Sequence, residues 1–128
     1  MELFELVWNI CILQTGLLLK KFLFQGRFLS LISKIKSPLH ILEIGTYTGY
    51  GTICLAEGLA TNGKIFTIDR NEELINIQNK YFEESGNRDR IIQLTGSATE
   101  ILMDLDENFD LTSINLSLIH ISEPTRQE

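Results

Sequence analysis

Two acidic residues lie in or at the end of short apolar stretches in the middle of the chain, and a glycine-rich segment lies between them. Glu43 lies near the end of the apolar stretch LHILEI, directly before the segment GTYTGYG (45–51). Asp69 ends a second apolar stretch, KIFTID. A carboxylate in a buried stretch must be hydrated, paired or bound to a cation, because an isolated buried charge is too costly. These residue types indicate a site for a small charged cofactor.

The glycines suit close contact between the backbone and a ligand. Glycine has no Cβ, so the chain at Gly45, Gly49 and Gly51 can turn sharply and approach a bound molecule. An acid at the end of a second strand, such as Asp69, accepts hydrogen bonds from both hydroxyls of a ribose. The alternative for Asp69 is structural, as a cap for the helix that begins at Asn71. The sequence leaves both interpretations open.

The glycine spacing distinguishes between two ribose-containing cofactors. NAD brings a pyrophosphate, which is normally held by GxGxxG at a helix N-terminus. Here the glycines are spaced GxxxGxG, and Glu43 would repel a pyrophosphate. S-adenosylmethionine has a ribose, an ammonium, a sulfonium and one carboxylate. The loop amides can bind that carboxylate while Glu43 binds the ammonium, directly or through water. An NAD-type oxidoreductase domain is the alternative, and a non-catalytic binding fragment is a third hypothesis.

Short apolar runs alternate with helical patterns along the chain. This alternation predicts a parallel sheet. We expect an α/β fold, a Rossmann-like parallel sheet with flanking helices, incomplete at about four strands and preceded by N-terminal helices. The predicted strands are 39–44, 64–69, 91–96 and 109–114, and the predicted helices are 3–17, 25–36, 52–60, 71–85 and 98–105. The predicted buried faces are Phe28, Leu29, Ile32 and Ile35 in the second helix, and Leu74, Ile77, Tyr81 and Phe82 in the fourth.

Composition excludes several classes of partner. The chain has 128 residues, the size of one domain, and its net charge of −6 argues against nucleic acid. The apolar N-terminus carries Glu2 and Glu5 where a signal peptide needs basic residues, and polar residues interrupt any membrane span. Cys11 and Cys54 lack metal-type spacing. We expect a cytoplasmic protein with reduced cysteines and no membrane partner.

Several segments together resemble one enzyme family. The stretches LEIGTYTGY, LAEGL, IFTIDRNEEL and ENFDL, with the turn at 96–98, resemble class I S-adenosylmethionine-dependent O-methyltransferases of the caffeoyl-CoA and catechol type, in their bacterial form. The resemblance extends over residues 25–111. It implies methyl transfer from S-adenosylmethionine to a phenolic or catechol-like hydroxyl of a small molecule, by a whole protein that forms a homodimer.

The resemblance also implies roles for individual residues. Glu43, Gly45 and Thr46 would line the methionine end of the cofactor. Tyr47 would pack beside it, Asp69 would hold the ribose, and Ala98 would border the adenine. The family usually has serine where this chain has Gly51, so a hydroxyl contact worth about 0.5–1.5 kcal/mol is missing from the cofactor site. No catalytic group can be named.

The end of the chain departs from the family pattern. Asn115 falls where the family has an aspartate that binds a divalent, magnesium-like metal, so the ligands of that metal are absent here. His120, between isoleucines, is interpreted as incidental. The stretch SLIHISEPTR is similar to a translated sequencing adapter. We therefore expect residues 1–111 to comprise N-terminal helices and the cofactor-binding part of a C-terminally truncated domain, and 112–128 to be a non-native tail.

Overall fold

A computed structural model of the protein describes residues 23–114. The helix predicted at 3–17 lies outside the described residues, and so do Asn115 and His120.

The described residues form a four-stranded parallel sheet with helices on both faces. The strand order is β3-β2-β1-β4, and all three pairings are parallel. The predicted Rossmann-like α/β fold is confirmed. The elements are α1 (23–36), β1 (His40–Ile44), α2 (Tyr50–Ala56), β2 (Lys64–Asp69), α3 (Ile75–Glu84), β3 (Ile91–Thr95), α4 (Ala98–Asp104) and β4 (Leu111–Ile114), with short 3-10 helices at Glu72–Leu74 and Arg88–Arg90.

The two faces of the sheet pack against different helices. Alternate strand residues point to opposite faces, so neighbouring residues of β1 and β2 enter separate clusters. One cluster joins the strands to α2 and α3, and the other packs against α4. Burial on both faces is what a parallel sheet requires. The first cluster contains Ile41, Leu55, Ala56, Ile65, Phe82 and Ile91, and the second is centred on Leu42, Phe66 and Ile68.

The buried face of α1 differs from the prediction. Phe28 and Ile35 are 51% and 76% exposed, whereas Ser30 and Ser33 are buried. The reason is the close approach of α1 to the chain after α2. A Cβ on Gly58 would lie 2.2 Å from the carbonyl carbon of Ser33, and the Ser33 hydroxyl donates to Leu55 O at 2.6 Å. Small residues permit this contact, and larger apolar residues do not.

The buried face of α3 also differs from the prediction. Gln78 and Phe82 are buried, while Ile77 and Tyr81 are 41% and 40% exposed. The helix follows a 3-10 turn at Glu72–Leu74. Gln78 is buried because its amide binds Tyr47 O and Gln93 Nε2. The Asn71 side chain accepts from Glu73 N at 3.0 Å, as expected of a cap.

The last strand of the sheet continues past residue 111, where the family resemblance found in the sequence ends. β4 extends from Leu111 to Ile114 and pairs with β1 through its whole length. The boundary at residue 111 between the domain and a non-native tail stays a prediction.

Candidate functional site

The glycine loop between β1 and α2 folds back onto the end of β2. Gly45 N donates to Ile68 O at 2.8 Å, and Tyr47 N donates to Asp69 Oδ2 at 2.7 Å. Gly49 N donates to Thr46 O at 2.9 Å and closes the turn. These bonds fix the loop at the carboxyl end of the sheet and use three of its N–H groups.

Gly49 meets two requirements that exclude other residues. Its φ of 90° lies in the left-handed region, where a Cβ is strained. A Cβ at this position would also lie 2.7 Å from Cε1 of Phe82, whose ring is fully buried. The loop therefore lies directly on the core side chain of α3.

Glu43 is buried and bound by threonine hydroxyls. Only 4% of its surface is exposed, and its Oε1 accepts from Thr52 Oγ1 and from Thr67 Oγ1, the latter at 2.7 Å. Thr67 has one hydroxyl hydrogen and gives it to Glu43, so Thr46 donates in the 2.6 Å contact between their hydroxyls. The sequence left open whether the Glu43 carboxylate is hydrated, paired or bound to a cation. In the described residues it is hydrogen-bonded by hydroxyl groups.

The surroundings of Glu43 favour its neutral form. Burial raises the pKa of the Glu43 carboxyl from 4.5 to about 7. The hydrogen bonds from Thr52 and Thr67 oppose this shift, and the charge of Asp69 adds to it. Glu43 is thus partly protonated near neutral pH, and a cation placed beside it would favour ionisation.

Gly51 leaves space beside the second oxygen of Glu43. A Cβ at position 51 would lie 3.1 Å from Glu43 Oε2. A serine here would crowd that oxygen, and glycine avoids the contact. The departure from the family pattern that the sequence identified therefore lies next to the buried acid.

Asp69 organises the backbone on both sides of it. Its Oδ2 accepts from Tyr47 N, and its Oδ1 accepts from Asn71 N at 3.0 Å. The cap of the following helical turn is Asn71, while Asp69 holds the peptide before that turn. A carboxylate has further lone pairs, so these two bonds leave acceptor capacity for a ligand.

Glu43 and Asp69 lie on the same face of the sheet. Glu43 pairs with Thr67 in the register of β1 and β2. Asp69 follows Thr67 by two residues and points to the same side of the pleated strand. β2 and β3 lie on one side of β1, and β4 lies on the other. Open parallel sheets bind ligands at the carboxyl edge where the strand order reverses in this way.

The structure brings some predicted site residues together and leaves others apart. Gly45 binds the end of β2 at Ile68 O, Thr46 contacts the Thr67 hydroxyl, and Gly51 lies beside Glu43. The Tyr47 side chain is 43% exposed. Ala98 begins α4 at the same edge, but its side chain packs against the cluster of Leu42, Phe66 and Ile68 on the opposite face.

Four polar residues of the candidate site were not predicted from the sequence. Thr52 and Thr67 bind Glu43, and Gln78 and Gln93 lie behind the loop. A signal existed for Thr67, because it alternates with Asp69 in β2 and so shares its face. Hydroxyl and amide residues in the helices give no such signal, since hydrophobic periodicity does not register them.

Metal and membrane features were searched within residues 23–114. In that range no group of three or more His, Cys, Asp or Glu side chains is arranged to hold a metal ion. No helix of that range is long and apolar enough to cross a membrane.

Comparison with known proteins gives consistent matches. A family model described as O-methyltransferase matches residues 15–123. A catechol O-methyltransferase of Niastella koreensis is 33% identical over 95 residues, which are 71% of this chain and 43% of that protein. A caffeoyl-CoA O-methyltransferase of Pinus taeda is 34% identical over 87 residues, or 68% of this chain and 34% of that protein.

Solved structures match the fold as well. The O-methyltransferase of Bacillus cereus in complex with SAH has a TM-score of 0.68 at 36% identity, covering 72% of this chain and 44% of that one. An O-methyltransferase of Streptomyces achromogenes involved in tomaymycin synthesis, in complex with SAM, has a TM-score of 0.69 at 30% identity, covering 79% and 47%. This chain spans less than half the length of these relatives.

Proposed function

We propose that this chain, which belongs to the O-methyltransferase family, binds S-adenosylmethionine at the carboxyl ends of β1 and β2. The observation that carries the proposal is the pair of acids on one face of adjacent parallel strands, on either side of the glycine loop. Relatives of known structure bind SAM or SAH, which supports the choice of cofactor. The family resemblance inferred from the sequence is confirmed.

The side chains of the site fit this cofactor. Glu43 would bind the ammonium through Oε2, which faces the space that Gly51 leaves open. Gly45 and Thr46 would line the methionine end, and Tyr47 would cover it. The N–H groups of Gly45, Tyr47 and Gly49 are used within the fold, so the cofactor carboxylate needs other donors of the loop.

The other end of the cofactor would lie at β2 and β3. Asp69 would accept from the ribose hydroxyls with its remaining lone pairs. Ala98, at the start of α4, would border the adenine with its backbone, since its Cβ packs on the opposite face of the sheet. This placement spans the edge of the sheet from β1 to the turn after β3.

The reaction of the whole protein is a further part of the proposal. The bound cofactor supplies a methyl group on a sulfonium, and the acceptor would be a phenolic or catechol-like hydroxyl of a small molecule. The name of the Niastella koreensis relative supports this acceptor class. The contribution of the described residues is to bind and orient the cofactor. They do not supply a ligand set for a metal, so no step is assigned to one.

Location, assembly and chain boundaries belong to the same proposal. We place the protein in the cytoplasm, where the free thiol of Cys54 stays reduced. The homodimer and the non-native tail at 112–128 rest on the resemblances found in the sequence. Sedimentation of the whole protein tests the first, and the gene sequence beyond the codon for Leu111 tests the second.

Direct binding tests the cofactor assignment. In equilibrium dialysis we expect S-adenosylhomocysteine to bind and NADH not to bind. Asp69→Asn should weaken binding of S-adenosylhomocysteine about tenfold or more, because hydrogen bonds to a charged group contribute about 1.5–3 kcal/mol. Glu72→Gln, at an exposed acid beyond the site, is the matched control and should change nothing. Binding of NADH without S-adenosylhomocysteine would overturn the assignment.

A further inference from the structure

A buried glutamine of α3 donates a hydrogen bond to the glycine loop. Gln78 is 1% exposed, and its Nε2 donates to Tyr47 O at 2.5 Å. Its Oε1 accepts from Gln93 Nε2 of β3, also at 2.5 Å. Both ends of the amide are therefore bound, and the Gln93 contact orients the amide so that its NH2 group faces the loop.

The residue that Gln78 holds has a strained backbone. Tyr47 has a φ of 52°, a left-handed conformation that costs a residue with a side chain free energy. Its N–H donates to Asp69 Oδ2, and its C=O accepts from Gln78. The two polar groups of this one residue are thus held from β2 and from α3. Removing either bond favours relaxation of the strained residue and loss of the other bond.

We propose that Gln78 is a positioning residue of the cofactor site, which holds Tyr47 in the left-handed conformation and so orients the Asp69 carboxylate toward a ribose. The inference rests on the proposed function and extends it to a residue that acts through Tyr47. Gln93, Gln78, Tyr47 and Asp69 form one continuous set of hydrogen bonds from β3 through α3 and the loop to β2.

A purely structural role for Gln78 predicts different behaviour. Any buried amide must be hydrogen-bonded, and losing it would destabilise the protein wherever it lies. A positioning role predicts that the loss is transmitted to the Tyr47–Asp69 bond. It also predicts that the loss depends on the strain at Tyr47, which glycine at the same position would not have.

The test compares Gln78→Met with Ser33→Ala. Methionine keeps the length of the side chain but removes both hydrogen bonds. Ser33 is equally buried, and its hydroxyl also binds a backbone carbonyl, that of Leu55, at the opposite end of α2 from the glycine loop. In the ligand-free chain we expect hydrogen exchange at the Tyr47 amide to accelerate about three- to tenfold in Gln78→Met, the effect of one net hydrogen bond. Ser33→Ala should leave it unchanged.

Ligand binding and a double-mutant cycle complete the test. Gln78→Met should weaken binding of S-adenosylhomocysteine about three- to tenfold at a temperature where both proteins are folded. In a Tyr47→Gly background the same substitution should change binding less than about twofold. Equal effects in both backgrounds would assign Gln78 a structural role only and overturn the proposal.

The outcomes separate the two proposals. An unchanged Tyr47 amide in Gln78→Met overturns the positioning role, whether or not the cofactor binds. Faster hydrogen exchange at the Tyr47 amide, in a chain that does not bind S-adenosylhomocysteine, overturns the proposed function. It would still show that Gln78 stabilises the conformation of the loop.

Discussion

Glu43 is the residue in which stability and the proposed binding conflict most directly. A hydrophobic residue at this position of β1 would extend the core formed by Ile41 and Ile65. The chain instead buries a carboxylate and surrounds it with hydroxyl donors. Such a group lowers stability when it ionises, and we interpret this cost as a consequence of binding a cationic ligand.

Glu43 makes the stability of the ligand-free chain depend on pH. The folded pKa is about 7 and the ordinary value is 4.5, so between these values the folded state retains a proton that the unfolded state has lost. The stabilisation is complete below pH 4.5 and is lost as the pH rises through 7. We expect the free energy of unfolding to fall by on the order of 3 kcal/mol across this window.

Urea unfolding at the two ends of the window measures this effect. Glu43→Gln keeps an acceptor for the threonines but cannot ionise, so its profile should lack this component. Glu72→Gln, which replaces an exposed acid, should keep the wild-type profile. Parallel profiles for wild type and Glu43→Gln would contradict the assignment of the shift to Glu43.

At the scale of elements, the contact between α1 and the chain after α2 depends on small residues. An alanine at Gly58 would place its Cβ 2.2 Å from Ser33 C and 2.3 Å from Lys34 N, both backbone atoms that cannot move alone. The whole of α1 would have to shift. We expect Gly58→Ala to lower the free energy of unfolding by about 3 kcal/mol, as overpacking does in a tight interface.

Gly86→Ala is the matched control for Gly58→Ala. Gly86 has a φ of 78° but nothing within 4 Å of its missing Cβ, so the substitution adds backbone strain without a clash. Its cost should be about 1 kcal/mol in the same urea titration. Equal costs for the two substitutions would show that the approach of α1 is not tight.

The elements also show which features the sequence could predict. The strands were predicted because LHILEI and KIFTID are short apolar runs, and all four were found within two residues of the predicted bounds. The buried faces of α1 and α3 were only partly right. Leu29 and Phe82 pack in the core as predicted, whereas Ser33 and Gln78 are buried for close approach and for hydrogen bonding. Neither reason leaves a trace in hydrophobic periodicity.

The placement of the candidate site residues was predicted to a similar extent, and their role in binding stays a prediction. Glu43, the glycines and Asp69 could be identified from residue type and position after a strand. Their hydrogen-bond partners could not, since Thr52, Thr67 and Gln78 meet them only after the helices have packed on the sheet. Tertiary contacts between elements distant in sequence determine these partners.

At the scale of the whole molecule, the described residues 23–114 expose a row of apolar side chains along α1. Phe24, Phe28, Leu31 and Ile35 recur at three- and four-residue steps and are between 51% and 76% exposed. Exposed apolar surface of this kind favours association. We expect the isolated chain to form larger species as its concentration rises in sedimentation velocity experiments.

Charge substitutions in this row test the prediction. A Phe24→Lys, Ile35→Lys double variant should reduce the association. Met103→Lys, at an isolated position of α4 that is 82% exposed, should have little effect. A monodisperse wild-type monomer with a sharp, reversible thermal transition would contradict the prediction.

The bond between Tyr47 and Asp69 has a consequence for incomplete ligands. Adenosine alone would engage Asp69 and, through Tyr47, reduce the freedom of the loop that methionine must contact. The two halves should therefore bind with positive cooperativity, each strengthening the other by the same factor. Calorimetric titration of methionine with and without saturating adenosine measures this factor, and a value of one would mean that the two halves of the cleft act independently.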